Sequence, residues 1–96
     1  MGMLEESTLF KAISNYGKYT KNQAKVLCFL VDNAVDNLIF PAPKKISEET
    51  GVVKSTVYAA LNVLQLDEII KKDTNNKGLL KINQDKINFI LKAYKN

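Results

Sequence analysis

A glycine between two short helical patterns constrains the fold of this chain more than any other feature. Residues 44–50 predict a helix that starts at about Pro43 or Lys44, because proline suits a first helical turn. Gly51 then supplies the left-handed backbone that ends many helices. After a three-residue turn, residues 54–66 predict a second helix, whose buried stripe is formed by Val57, Ala60, Leu61 and Leu64. This order is typical of a helix-turn-helix.

The same segment also resembles the end of a phosphate-binding loop, since a glycine precedes Lys54 and Ser55 by a few residues. A Walker loop requires a glycine directly before the lysine, so that backbone N–H groups can approach the phosphates. Val53 occupies that position and would obstruct the approach. The segment also follows a helix, whereas the nucleotide loop follows a strand. We therefore reject the nucleotide-binding interpretation.

The rest of the chain predicts three more helices and a few short strands. Residues 4–16 show helical spacing and end at Gly17, and Thr20 with Gln23 forms a capping box that opens a helix over residues 20–35. That helix is apolar nearly all round, so it either fills the core or is shared with a partner chain. The other predicted elements are a short strand at 38–40, two strands with a polar loop within 69–83, and a helix at about 85–94.

These elements predict a mainly α fold with a small β-hairpin (α+β), a winged helix-turn-helix of five helices. Ninety-six residues suit one domain, residues 1–96. Within it we place the helix-turn-helix at about 44–66 and the C-terminal helix at about 85–94. The segment 69–83, with two short strands, is the predicted wing, and residues 38–40 fit a third strand.

The outward face of the second helix is small and polar enough to enter the major groove of DNA. Its candidate residues are Ser55, Thr56, Tyr58 and Asn62, with Ala59 between them. Lysines surround this face: Lys44 and Lys45 at the start of the preceding helix, Lys54, and Lys71, Lys72 and Lys77 in the wing. Lysines beside helix N-termini and along a hairpin are suited to phosphate contacts.

Each candidate also has a simpler interpretation. Ser55 and Thr56 suit the cap of a helix, which is the commoner use of such residues there. Tyr58 and Asn62 fit an ordinary surface, and the wing lysines fit a solvated turn. The convergence of these separate features on one surface favours the DNA-binding interpretation.

Composition narrows the classes of function. The net charge is +4 and the pI about 9.2, which suits a polyanionic partner, and all basic residues are lysines. The sequence has no histidine, and Cys28 is its only cysteine, within an apolar run where an inert buried thiol is expected. We therefore predict no enzyme activity, no metal site and no cofactor.

The apolar run from Val26 to Val31 is too short to span a bilayer, and no signal-peptide pattern is present. We expect a soluble cytoplasmic protein with no membrane partner and no small-molecule ligand.

Four segments, LFKAISNYG, KVLCFLVDN, ISEETGVVKSTVYAALNVLQ and GLLKINQDKI, resemble in that order the winged-helix core of the RepL-type replication proteins of Firmicute plasmids. The resemblance implies a winged-helix DNA-binding fold and a role in plasmid replication initiation or copy control. Two departures stand out. Val53 replaces the usual serine before the recognition helix, and Ala59 stands where many relatives carry a basic or polar residue.

The leading hypothesis is a DNA-binding homodimer that acts on double-stranded DNA, with residues 54–66 in the major groove. Replication control and transcriptional regulation both fit this hypothesis. The alternative is a winged-helix protein-interaction module without DNA binding, which would use the apolar helix 20–35 or the C-terminal helix.

Overall fold

The computed structural model describes residues 8–95 and confirms a mainly helical chain with a small antiparallel sheet. The elements are α1 (Thr8–Tyr16), α2 (Lys21–Asn33), β1 (Leu38–Ile39), α3 (Pro43–Thr50), α4 (Lys54–Leu66), β2 (Ile70–Lys72), β3 (Leu80–Ile82) and α5 (Gln84–Lys95). This arrangement is consistent with an α+β winged helix. The predicted first helix began at residue 4, and residues 4–7 lie outside the described part.

Local signals set several helix ends where the sequence predicted them. Gly17 follows α1 with a φ of 81°. At the start of α2, the Gln23 N–H donates to Thr20 Oγ1 over 3.1 Å, and the Thr20 N–H donates to Gln23 Oε1 over 3.0 Å. This confirms the capping box. Proline stands at the first position of α3, and the helix after Gly51 begins at Lys54.

The sheet has the order β1-β3-β2, so the strand at 38–39 joins the wing hairpin as a third strand. Leu38 pairs with Lys81, and Ile70 pairs with Ile82. A two-residue turn leads into β1: Asp36 and Asn37 both have positive φ, as a type I′ turn requires. This turn was not predicted from the sequence.

The core is built around α2. Ala24, Val26, Leu27 and Leu30 have no exposed side-chain surface, and Cys28 is also buried, as predicted. The apolar face of α2 packs on α4, α1 and α3 within the same chain. Between Thr8 and Lys95, no helix is long and apolar enough to span a bilayer.

The outer helices α1 and α5 pack against each other and bury Ile13, Ile87 and Ile90. Tyr16 and Tyr94 lie at the edges of the apolar faces of these helices, with 40% and 37% of their surface exposed. The buried stripes of α1 and α5 therefore end before these two tyrosines.

Asp67, just after α4, joins three parts of the fold. Its carboxylate lies 3.7 Å from Lys18 Nζ and is near enough to Tyr19 to influence the pKa of its hydroxyl. Its backbone carbonyl accepts a hydrogen bond of 2.6 Å from Lys86 Nζ on α5. The connection between α1 and α2, the end of α4 and the start of α5 are thus held together. Burial, with help from the Asp67 carboxylate, raises the pKa of Tyr19 well above its ordinary value of 10.0.

We predict that Tyr19→Phe flattens the loss of stability at alkaline pH. A raised pKa means that the folded chain keeps the phenol proton after the unfolded chain has lost it, so the free energy of unfolding falls as the pH rises above about 10. Denaturant unfolding of both proteins between about pH 9 and 11 measures this slope. Tyr58→Phe, at an exposed position, is the control. Parallel pH profiles for wild type and Tyr19→Phe would contradict the prediction.

Candidate nucleic-acid interface

The turn between α3 and α4 is held by both backbone and side-chain contacts. Gly51 has a φ of 78°, and its N–H donates to the Ser47 carbonyl over 2.9 Å. The Thr50 hydroxyl donates to the Ile46 carbonyl over 2.6 Å and accepts a hydrogen bond from the Val52 N–H. Ile46 and Val52 are buried in the core on either side of this turn. Thr50 was not among the predicted residues, although its hydroxyl satisfies one group on each side of the turn.

Helix α4 buries the predicted stripe and exposes the predicted face. Val57, Ala60, Leu61 and Leu64 lie in the core. On the opposite side Ser55, Tyr58, Ala59 and Asn62 are exposed, and Thr56 is half-buried at the flank. Tyr58 has 56% of its surface accessible. No acidic residue occurs from Lys54 to Leu66, so this face presents only neutral side chains and one lysine.

The first turns of α3 and α4 differ from that of α2 in their capping. The N-cap residues are Ala42 and Val53, and neither makes a side-chain hydrogen bond to its helix. Lys44 and Lys45 lie in the first turn of α3, and Lys54 opens α4; all three are exposed. Each of these two helix starts therefore combines N–H groups that have no side-chain cap with a positive side chain, an arrangement that favours anions.

The pleat of the wing separates its lysines. On β2, Ile70 is buried and the next two residues, Lys71 and Lys72, point to opposite faces of the sheet. Lys72 and Lys77 line a groove that they share with the exposed side of α4. Lys71 instead pairs across the strands with Lys81, and these two lysines line a different groove. Lys81 was not among the predicted residues, although its alternation with buried Leu80 and Ile82 marks it as exposed.

The groove between α4 and the wing brings four predicted residues together. Its volume is about 610 Å³, and Tyr58, Asn62, Lys72 and Lys77 lie on its walls. Apolar side chains form much of the rest of its lining: Pro41, Pro43, Leu61, Leu79 and Leu80. Lys45 lines another groove, beside Phe40. The structure therefore joins the helix face to only part of the predicted set of lysines.

An ordered loop carries Lys77. Asp73 Oδ2 accepts hydrogen bonds from the backbone N–H groups of Asn75 and Asn76, at 3.2 and 2.7 Å, and from Asn76 Nδ2 at 2.8 Å. The side-chain hydrogen bond from Asn76 is the main reason that the pKa of Asp73 is below its ordinary value. Gly78 then turns the chain back with a φ of 88°. Within residues 8–95, no group of three or more acidic, cysteine or histidine side chains could hold a metal ion.

A comparison with protein families matches residues 4–96 to the family described as Firmicute plasmid replication protein (RepL). The match covers nearly the whole chain. Comparisons with curated proteins and with solved structures find no match.

We predict that Val53→Ser stabilises the fold. Residue 53 has the extended backbone of an N-cap, and a serine hydroxyl there would accept a hydrogen bond from the first turn of α4. Val53 is 65% exposed, so little apolar burial is lost. We expect a gain of about 1 kcal/mol in the free energy of unfolding. Val53→Ala is the matched control, because it shortens the side chain without adding an acceptor. Equal stability of the two variants would refute the capping explanation.

Proposed function

Because the chain belongs to the RepL family of Firmicute plasmid replication proteins, we propose that it binds double-stranded DNA as a winged-helix protein. The observation that carries this proposal is the groove in which Tyr58 and Asn62 of α4 meet Lys72 and Lys77 of the wing. On this proposal the protein catalyses no reaction and acts in the cytoplasm by occupying a DNA site. Its role is replication initiation or copy control, and transcriptional regulation would use the same surface.

The exposed side of α4 fits the major groove by size. A helix with its side chains is about 10–12 Å across, close to the groove width of about 12 Å. Ser55 and Ala59 are small and exposed, so they allow the helix backbone to approach the base edges. Thr56 and Tyr58 flank them. Because Ser55, Ala59 and Asn62 are spaced at i, i+4 and i+7, they lie along one line of the helix surface.

The chemistry of this line favours A·T base pairs. Guanine is read chiefly by arginine or lysine, whereas adenine is read by asparagine or glutamine, and the thymine methyl group by apolar side chains. The sequence has no arginine, and Lys54 is the only basic residue of α4. Asn62 is therefore assigned to adenine and Ala59 to a thymine methyl group.

The lysines around α4 supply phosphate contacts in this proposal. Lys54, Lys72 and Lys77 border the exposed side of α4, and Lys44 and Lys45 stand at the start of α3. Lys71 lies on the other face of the wing with Lys81. Like charges directly opposite each other on two strands are destabilising. A phosphate near Lys71 and Lys81 would relieve this repulsion.

The rival function is a protein-interaction module without DNA binding. Its first proposed surface, the apolar helix 20–35, is weakened because α2 buries that face in its own core. The apolar lining of the groove beside α4 gives the protein-interaction function stronger support than helix 20–35 does.

Selection of bound fragments from random DNA at near-physiological salt separates the two functions. An enriched inverted repeat supports DNA binding by a homodimer, and the absence of any enriched or bound duplex supports the rival.

We predict that replacing single lysines with alanine lowers the salt dependence of DNA binding. Each lost phosphate contact should reduce the slope of log affinity against log salt by roughly one unit. We expect this for Lys54, Lys72 and Lys77, and a smaller change for Lys71, because it lies on the far face of the wing. Fluorescence anisotropy across a salt series measures the slopes. Lys11→Ala on α1 is the control, and slopes equal to that of the wild type for all five variants would exclude this surface.

We predict a different effect for Asn62→Ala. Loss of a two-point contact to adenine should remove about 1–3 kcal/mol of discrimination at one base pair while leaving the salt slope unchanged. Competition between the selected site and its single-base variants measures the discrimination. Asn22→Ala, at an exposed position on α2, is the matched control. If Asn62→Ala kept the full preference for adenine, Asn62 would have no reading role.

A further inference from the structure

The outer face of α5 presents an aromatic side chain that the core does not use. Phe89 is 61% exposed, whereas Ile87 and Ile90 on the inner face are buried. Phe89 makes an edge-on ring contact with Tyr16 of α1, with centroids 6.4 Å apart and planes at 85°. Tyr16 is itself partly exposed. Aromatic residues are enriched at protein interfaces, and this pair lies apart from the exposed side of α4.

Opposite charges flank Phe89 on one side of the helix. Asp85 precedes it by four residues and Lys92 follows it by three, and both are exposed. At about 100° and 1.5 Å per residue, the two side chains lie on the same side of Phe89, about 6 Å before it and 4.5 Å after it. Lys86, on the other side of Phe89, donates to the Asp67 carbonyl of its own chain. Ala93, a small residue, lies on the same side of the helix as Lys86 and follows Phe89 by four residues.

This pattern gives both Asp85 and Lys92 an opposite charge only when the two helices are antiparallel. If two copies of α5 meet face to face around a two-fold axis at Phe89, Asp85 of each copy faces Lys92 of the partner subunit. Lys86 then lies opposite a small alanine. A parallel two-fold arrangement would instead place Asp85 beside Lys86 of the partner subunit, whose ammonium group already donates to the Asp67 carbonyl of its own chain, and would leave Lys92 beside an alanine.

We propose that two copies of this chain dimerise through the outer faces of antiparallel α5 helices, with Phe89 at the two-fold axis. A partner with only basic residues would meet Lys92, and a partner with only acidic residues would meet Asp85. A second copy satisfies both charges at once.

This interface specifies the homodimer of the proposed function and leaves the DNA-facing surface available. Helix α5 packs chiefly on α1, and no residue of its outer face lines the groove between α4 and the wing. Two copies joined at α5 therefore keep both α4 helices exposed. The dimer forms without DNA, so it is tested separately from DNA binding.

Sedimentation equilibrium of the full chain over a range of protein concentrations tests the proposal. We expect a monomer–dimer equilibrium, and Phe89→Ala should raise the dimer dissociation constant by about tenfold or more, since a central aromatic residue commonly dominates an interface. Asp85→Lys and Lys92→Asp should each weaken the dimer. The double variant Asp85→Lys with Lys92→Asp should restore it, because each pair is re-formed with its charges exchanged. Lys45→Asp, the same charge change on α3, should leave the equilibrium unchanged.

Thermal melts followed by circular dichroism show whether each variant is folded, and so separate loss of dimerisation from loss of folding. If a charge reversal destabilises α5, Phe89→Ala still tests the interface, because it leaves all charges of the helix unchanged. A monomeric wild-type chain at every concentration overturns the proposal, as does a dimer that Phe89→Ala leaves intact. A double variant that folds but stays as weak as the single variants also overturns it. A monomer that still binds DNA would refute this interface alone. A dimer that binds no duplex would refute the proposed function alone.

Discussion

The packing of α4 against α2 is the interaction on which the rest of the structure depends. Leu27 and Leu30 of α2 and Val57 and Leu64 of α4 are fully buried in one core. Burial of each leucine side chain stabilises the fold by about 2 kcal/mol. Because this contact holds one side of α4 inward, the side that bears Ser55, Tyr58 and Asn62 is the side left to solvent. Any DNA contact through α4 depends on that choice of face.

The turn and the wing then set what surrounds the exposed helix. Gly51 and the Thr50 hydroxyl hold α3 and α4 in a fixed relation, so the lysines at both helix starts keep their places. The pleat of β2 sends Lys72 toward α4 and Lys71 away from it. A hairpin rich in lysine thus contributes to two surfaces. The proposed role in DNA binding rests most directly on the first of these.

Features that depend on neighbours within about four residues could be predicted from the sequence. The capping box at Thr20, the start of α3 at Pro43 and the left-handed turn at Gly51 are of this kind, and the bounds of α4 followed from them. The turn at Asp36 and Asn37, where both residues have positive φ, is also local. Two polar residues directly before an apolar strand are a sequence signal for such a turn, but the turn was not predicted. Contacts made by Asp67 join residues far apart in sequence and left no local pattern.

The sequence by itself determined the order and the ends of the helices, and the face of α4 that turns outward, because periodic apolar residues and capping groups act over a few residues. The sequence also determined that the protein is basic and that all of its positive side chains are lysines. Only the tertiary structure decided which lysines share a groove with α4, that α2 lies inside the core, and that Phe89 stays outside it. Those outcomes depend on how strands pair and helices pack. Such contacts join residues that are distant along the chain, and no short stretch of sequence encodes them.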